Sequence, residues 1–165
     1  MSTDSRGNAC IEIACGLAAE LIRKFGEVRL CAFGTSMAPS ILPGDLVVIQ
    51  RAGFDEIIPG EVVLFSREGR LFIHRVIDRK AFSAGGDAVA PCLVTRGDRL
   101  CRNDPPISSG DLLGRVVHVE RGRRTVELPA QPRGFHRCLA RLLRTSDRAT
   151  YLYLRLARYW RVIHA

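Results

Sequence analysis

Apolar and polar positions recur with two different periods along this chain, and the change of period divides it. Over residues 9–25 the apolar positions are mostly Ile11, Ile13, Leu17, Leu21 and Ile22, with Glu20, Arg23 and Lys24 on the polar side. That spacing predicts an amphipathic helix, and Gly26 supplies its stop. Beyond it, short β-branched runs at 28–33, 46–50, 61–66, 71–78, 112–120 and 125–128 read as strands. Pro-Gly at 43–44 and 59–60, Glu-Gly at 68–69 and Gly-Gly at 85–86 punctuate them. Consecutive strands joined by tight turns predict a mainly β (α+β) fold with an antiparallel sheet. A helical period returns after a linker at 129–134. Arg133, Arg137, Arg141 and Arg144 recur on one helix beside Phe135, Leu139, Leu142 and Leu143. A second helix from about 149 places Leu152, Leu156, Tyr159, Trp160 and Ile163 on one arc, with Arg148, Arg155, Arg158 and Arg161 elsewhere. The expected organisation is an N-terminal helix over 1–26, a β-rich domain over 27–128 and a basic helical tail over 129–165.

Composition sharpens this picture in two places. With 165 residues, 47% of them hydrophobic, the chain is long enough for one domain with its own core. The apolar stretch 9–22 is interrupted by Glu12 and Glu20, so neither a bilayer-spanning helix nor a secretory signal is expected. The expected location is the cytoplasm or the periphery of a membrane. The formal charge of +8 is concentrated at one end. Residues 121–165 hold eleven arginines against Glu127 and Asp147, leaving the first 120 residues near neutral. Six cysteines, at 10, 15, 31, 92, 101 and 138, show no Cys-x-x-Cys and no zinc-like spacing with histidine. They read as reduced, small hydrophobes, and no metal or other cofactor is expected.

Three segments carry candidate chemistry. Gly34-Thr-Ser-Met-Ala-Pro39 follows a strand and puts Ser36 at a sharp change of direction, as a nucleophile near backbone N–H groups requires. Ser36 could equally cap a short helical turn. In Leu71-Phe-Ile-His-Arg-Val-Ile77, alternation puts Phe72, His74 and Val76 on one face and Leu71, Ile73, Arg75 and Ile77 on the other. His74 on a fixed strand suits a general base, although strand histidines also serve structure, and His118 lies in a similar run. His136 and His164 fall in the basic tail. Asp98 and Asp104, in the segment 95–106, could each orient a histidine or merely shape turns.

Taken in order, Ser36-Met37-x-Pro39, Pro43-Gly44-Asp45, His74-Arg75-Val76 and Gly97-Asp98 with Asp104 six residues on resemble the S24/S26 serine peptidase clan of signal peptidases and self-cleaving repressors. The resemblance spans about residues 28–118. Many members use a Ser–Lys dyad. Here His74 stands at the lysine position, as in the endoplasmic-reticulum and archaeal type of signal peptidase. The resemblance implies a signal-peptidase or repressor-like core and a serine endopeptidase that hydrolyses a leader or signal peptide. Ser36 would be the nucleophile, His74 the base, Asp104 its orienting partner and Asp98 a supporting acid. The Ser36 N–H and the Thr35 hydroxyl would face the oxyanion; Thr35 stands where the family usually has glycine. A histidine base, with an ordinary pKa of about 6.5, leads to an expected fall in hydrolysis as pH drops through roughly 6–7.

Two alternatives to a signal peptidase follow from the same residues. One is an inactive peptidase-fold binding module whose basic tail contacts membrane or RNA. The other is a soluble self-cleaving regulator, for which Cys15-Gly16 resembles the bonds that repressors cut in themselves. The partners expected are a peptide or pre-protein substrate and, for the tail, an anionic membrane surface, ahead of nucleic acid. The plainer reading of the tail is a helical pair packed on the β-domain with its arginines in solvent. Every proposed site residue precedes position 105, so a short peptide should still be cut when residues 129–165 are removed.

Overall fold

The first helix runs Ser5–Phe25 (α1) and ends where Gly26, at φ +75°, donates its N–H to the Ile22 carbonyl. Seven strands follow: β1 (Glu27–Cys31), β2 (Leu46–Gln50), β3 (Val62–Arg67), β4 (Arg70–Ser83), β5 (Val89–Arg96), β6 (Leu112–Arg121) and β7 (Arg124–Val126). Two helices close the chain, α2 (Gly134–Thr145) and α3 (Asp147–Ile163). This computed structural model describes residues 5–83, 89–130 and 134–163. The Gly85-Gly86 turn, Arg133 and His164 lie outside the described residues, as do the side chains of Ile11, Ile13, Tyr159, Trp160 and Ile163.

The strands form one antiparallel sheet in the order β1-β2-β6-β3-β4-β5, with β7 paired to β6. The fold is mainly antiparallel β with a few helices, as the alternating pattern predicts. Strand β5 is the element that the pattern does not announce. Its run carries Pro91, which lacks the N–H that an interior strand must donate. Proline is tolerated here because β5 lies at the sheet edge.

Each face of the sheet carries its own core. Ile22 of α1 packs with Val47, Ile49, Leu64 and Val119, and Leu71 and Ile73 of β4 lie against that cluster. Phe65, Val76, Leu93 and Ile107 form the second cluster, with Phe72 packed on it. The alternation along β4 is therefore observed. Successive side chains of β4 enter opposite cores, which puts His74 on the face of Phe72 and Val76. Cys15 and Cys92 are buried as small hydrophobes, and burial raises the Cys15 thiol pKa. Cys31, Cys101 and Cys138 are exposed free thiols.

The tail helices are not an appendage. Leu143 of α2 is buried with Ala38 and Leu42 from the Ser36 loop, and Leu139, Ala149, Tyr153, Leu154 and Ala157 pack around them. Leu152 and Leu156, on the arc expected to be apolar, are more than half exposed instead. The covered side of α3 is the one that carries Ala149, Tyr153 and Ala157, whose two alanines permit close helix approach.

Candidate active site

The loop after β1 is shaped before any chemistry is considered. Gly34 turns the chain at φ +75°, the Ala38-Pro39 bond is cis, and Ile41 donates to the Met37 carbonyl. Asp45 anchors its far end. That carboxylate is fully buried, accepts the Leu42 N–H at 2.7 Å and pairs with Arg121 at 2.7 Å. Arg121 also donates to the Ser40 carbonyl at 3.0 Å. The Pro43-Gly44-Asp45 sequence thus holds a loop whose tip carries Ser36.

Ser36 does not spend its hydroxyl on a helix cap. Its Oγ lies 3.0 Å from Nε2 of His74, and Nδ1 of His74 lies 2.7 Å from Oδ2 of Asp104. A carboxylate can only accept, so Asp104 fixes the proton on Nδ1 and leaves the Nε2 lone pair facing the serine hydroxyl. His74 is buried, with the rings of Phe65 and Phe72 each 6.0 Å from its own. Asp104 accepts a second bond, from the Thr95 hydroxyl at 2.7 Å. Burial alone would raise the Asp104 pKa. The hydrogen bonds from His74 and Thr95, with the charges of His74 and Arg67, outweigh burial and hold it below the usual carboxylate value. Asp104 is therefore ionised throughout the range in which an imidazole titrates.

Asp98 stands one step back. Its carboxylate forms a fork with Arg75, Nε to Oδ1 and Nη2 to Oδ2 both at 2.8 Å, and accepts the Ser40 hydroxyl. Arg75 is buried and donates further to the carbonyls of Gly60 and Pro129. This pair joins the strand of His74 to the loop of Ser36 without touching either reacting side chain. His118 lies elsewhere, near Glu120 at 3.7 Å. Sequence reasoning passed over Ser40 and Thr95, whose short hydroxyl side chains carry no period to mark them.

The loop after β5 presses on Ser36 from behind. The Arg99 N–H donates to the Ser36 carbonyl at 2.8 Å, and a Cβ on Gly97 would lie 2.7 Å from that oxygen. Real Cβ atoms essentially never come so close. Gly97→Ala should therefore move the serine out of line with His74 and cut peptide hydrolysis by about 10²-fold or more, since displacements near 1 Å cost that much. A crystal structure and steady-state kinetics of the variant check it.

In front of Ser36 runs a largely apolar groove of about 660 Å³. Leu30 to Gly34 form one wall and Arg70 to His74 the other, with Met37, Ile41 and Leu64 between them. Strand β5 pairs with β4 only from Arg75 onward, so the β4 edge over residues 70–74 carries no β5 partner. The N–H of Ser36 and the hydroxyl of Thr35 have no hydrogen-bond partner among the described residues. No group of three or more His, Cys, Asp or Glu among the described residues could hold a metal ion. No described helix is long and apolar enough to cross a membrane.

The structure thus brings a serine hydroxyl and a histidine ring together where the loop after β1 faces β4. The family model described as Peptidase S24-like matches residues 17–83, from α1 through β4, and so includes Ser36 and His74. The match supports the S24/S26 peptidase clan, and with it serine-type peptidase activity at the level of the family. Asp98 and Asp104 lie beyond the matched span. No curated protein and no solved structure gives a match.

Proposed function

We propose that this chain is a serine endopeptidase of signal-peptidase type, with Ser36 as nucleophile, His74 as base and Asp104 as the group that orients it. The observation that carries the reading is the unbroken line of hydrogen bonds from Ser36 Oγ through His74 to Asp104. His74 Nε2 takes the hydroxyl proton as Oγ attacks the scissile carbonyl, and then gives it to the leaving amine. The acyl-enzyme that remains is an ester. Water, deprotonated by the same nitrogen, hydrolyses it and restores the serine. The Ser36 N–H and Thr35 hydroxyl, without a hydrogen-bond partner among the described residues, would receive the negative charge of each tetrahedral state. Asp98 acts through Arg75 and Ser40, as a positioning residue.

The substrate would lie extended in the groove, adding main-chain hydrogen bonds to the open β4 edge at 70–74. Its apolar walls favour the small side chains that the clan prefers before the cut. For the tail, exposed Phe135, Leu142, Tyr151, Leu152 and Leu156 among arginines support contact with an anionic membrane surface, where a leader peptide would arrive. Self-cleavage at Cys15-Gly16 is the less favoured regulator reading, because that bond lies inside α1 and an extended segment is what a protease cuts.

The test is a library of unstructured peptides incubated with the full chain and read by mass spectrometry, with Ser36→Ala alongside. Cuts after small residues that vanish in the variant are expected. Identical products from both proteins, or no product from either, would overturn the peptidase reading. In the same samples, a chain that stays intact over prolonged alkaline incubation excludes self-cleavage.

A further inference from the structure

Behind the Ser36 loop, on the side where α2 meets the sheet, lies a second cavity of about 550 Å³. Its charge is lopsided. Arg75, Arg96, Arg141, Arg144 and His136 line it, and Asp98 is the one carboxylate among its lining residues. Asp98 is already committed to Arg75 by the two bonds at 2.8 Å. That leaves three guanidinium groups around one space without a carboxylate partner among the described residues. Arg144 reaches only the carbonyls of Asp98 and Arg99, at 3.3 and 3.2 Å. Among the described residues Arg96 makes one long side-chain bond, 3.4 Å to Asn103. Arg141 projects from α2 with no partner at all among the described residues.

The sheet register makes the excess sharper. Arg96 is the direct cross-strand neighbour of Arg75, and like charges in that position destabilise a sheet unless something offsets them. The chain offsets one of the two with Asp98 and leaves the other. Guanidinium groups converging from a strand and a helix match the several oxygens of a phosphate group, since each guanidinium can donate two parallel N–H bonds to a pair of them. Pro39, Val76, Ile77 and Ala140 are among the other lining residues, so the space has an apolar side as well.

We propose that this cavity binds a phosphate-bearing ligand, held by Arg96, Arg141 and Arg144 with His136 at the rim. Inorganic or nucleotide phosphate and a phospholipid headgroup share this chemistry. The site is separate from the groove in front of Ser36, and its existence does not depend on the peptidase reading. An occupant would draw on Arg144, whose bonds to the 98–99 carbonyls support the loop behind Ser36.

Calorimetry on the full chain with inorganic phosphate, pyrophosphate and a water-soluble dibutyryl phosphatidic acid tests it. Sedimentation with phosphatidylcholine vesicles, with and without phosphatidic acid, supplies the lipid arm. Expected is saturable binding of at least one probe at one site per chain, weakened about tenfold or more in Arg141→Ala and in Arg96→Ala. In the calorimetry, where no membrane surface is present, Arg155→Ala, which removes an exposed arginine of α3 outside the cavity, should bind as the parent does. Binding of pyrophosphate by itself points to a free phosphate, and binding confined to phosphatidic acid points to a headgroup; either supports the site. Arg141 is exposed on a helix, so Arg141→Ala should melt with the parent and remain interpretable even if Arg96→Ala misfolds. No saturable binding of any probe, or equal weakening in Arg155→Ala and Arg141→Ala, would overturn the proposal.

Discussion

His74→Ala should lower kcat/KM for a cleavable peptide by about 10⁴–10⁶-fold, and Ser36→Ala by as much, because members of one relay fail as a unit. Asp104→Asn should cost roughly 10³–10⁴-fold. The amide can donate to Nδ1, which favours the tautomer whose proton points at the serine. Lys80→Ala should leave the rate unchanged. Lys80 lies six residues along β4 from His74, about 20 Å at strand rise, and its ammonium is 3.6 Å from Asp78. Lys24, the other lysine of the chain, sits at the end of α1 with its ammonium 5.5 Å from the centre of the Phe25 ring. Neither can stand in for the lysine of a Ser–Lys dyad. Kinetics on the four variants, with melting curves to verify folding, decide the assignment. Activity that survives His74→Ala and dies with Lys80→Ala would remove the histidine from the mechanism.

The three residues of that relay were legible in the sequence to different degrees. By its own segment Ser36 could equally cap a turn, and His118 lies in a run like that of His74, so both were singled out only by the order of motifs that resembles the peptidase clan. Asp104 could be placed only by order along the chain, since Asp98 offers the same carboxylate in a similar turn. The structure separates the two by their partners, His74 for one and Arg75 for the other. Nothing in spacing foretells that Arg75 turns toward Asp98, because the contact joins positions 23 residues apart through a strand edge. Strand β5 was hidden by Pro91, whose position at an edge is decided by sheet order and not by its own run. In α3 the helical period was visible, but which flank would be covered was not. Leucine outweighs alanine in any hydrophobic pattern, whereas helix packing at close range favours the alanines.

Deleting residues 129–165 should abolish hydrolysis of even a short soluble peptide, although every residue of the relay lies before position 105. The deletion lowers the formal charge from +8 to about +1, since it takes eight arginines and Asp147. Charge is the smaller consequence. Leu143 leaves Ala38 and Leu42 bare on the very loop that carries Ser36, and all three are at most 2% exposed in the intact chain. Arg75 loses the Pro129 carbonyl, and Gly60, packed against Ala130, loses its cover. Arg99 loses its bond to the Thr150 hydroxyl, and the 98–99 carbonyls lose Arg144. Those two residues hold the segment whose N–H fixes the Ser36 carbonyl. Tyr153, whose pKa burial raises despite the nearby charge of Arg121, uncovers the Arg121–Asp45 pair that anchors the far end of the loop. A milder variant isolates the packing from the charge. Leu143→Ala removes no charge, yet it should cost about 2–5 kcal/mol, as buried leucines do. At this chain length that is a fall in Tm of roughly 5–20 °C. Calorimetric melts and a peptide assay on both proteins measure the two effects. A truncated chain that melts cooperatively near the parent and cuts peptide at the parental rate would show that the tail supports neither the loop nor the relay.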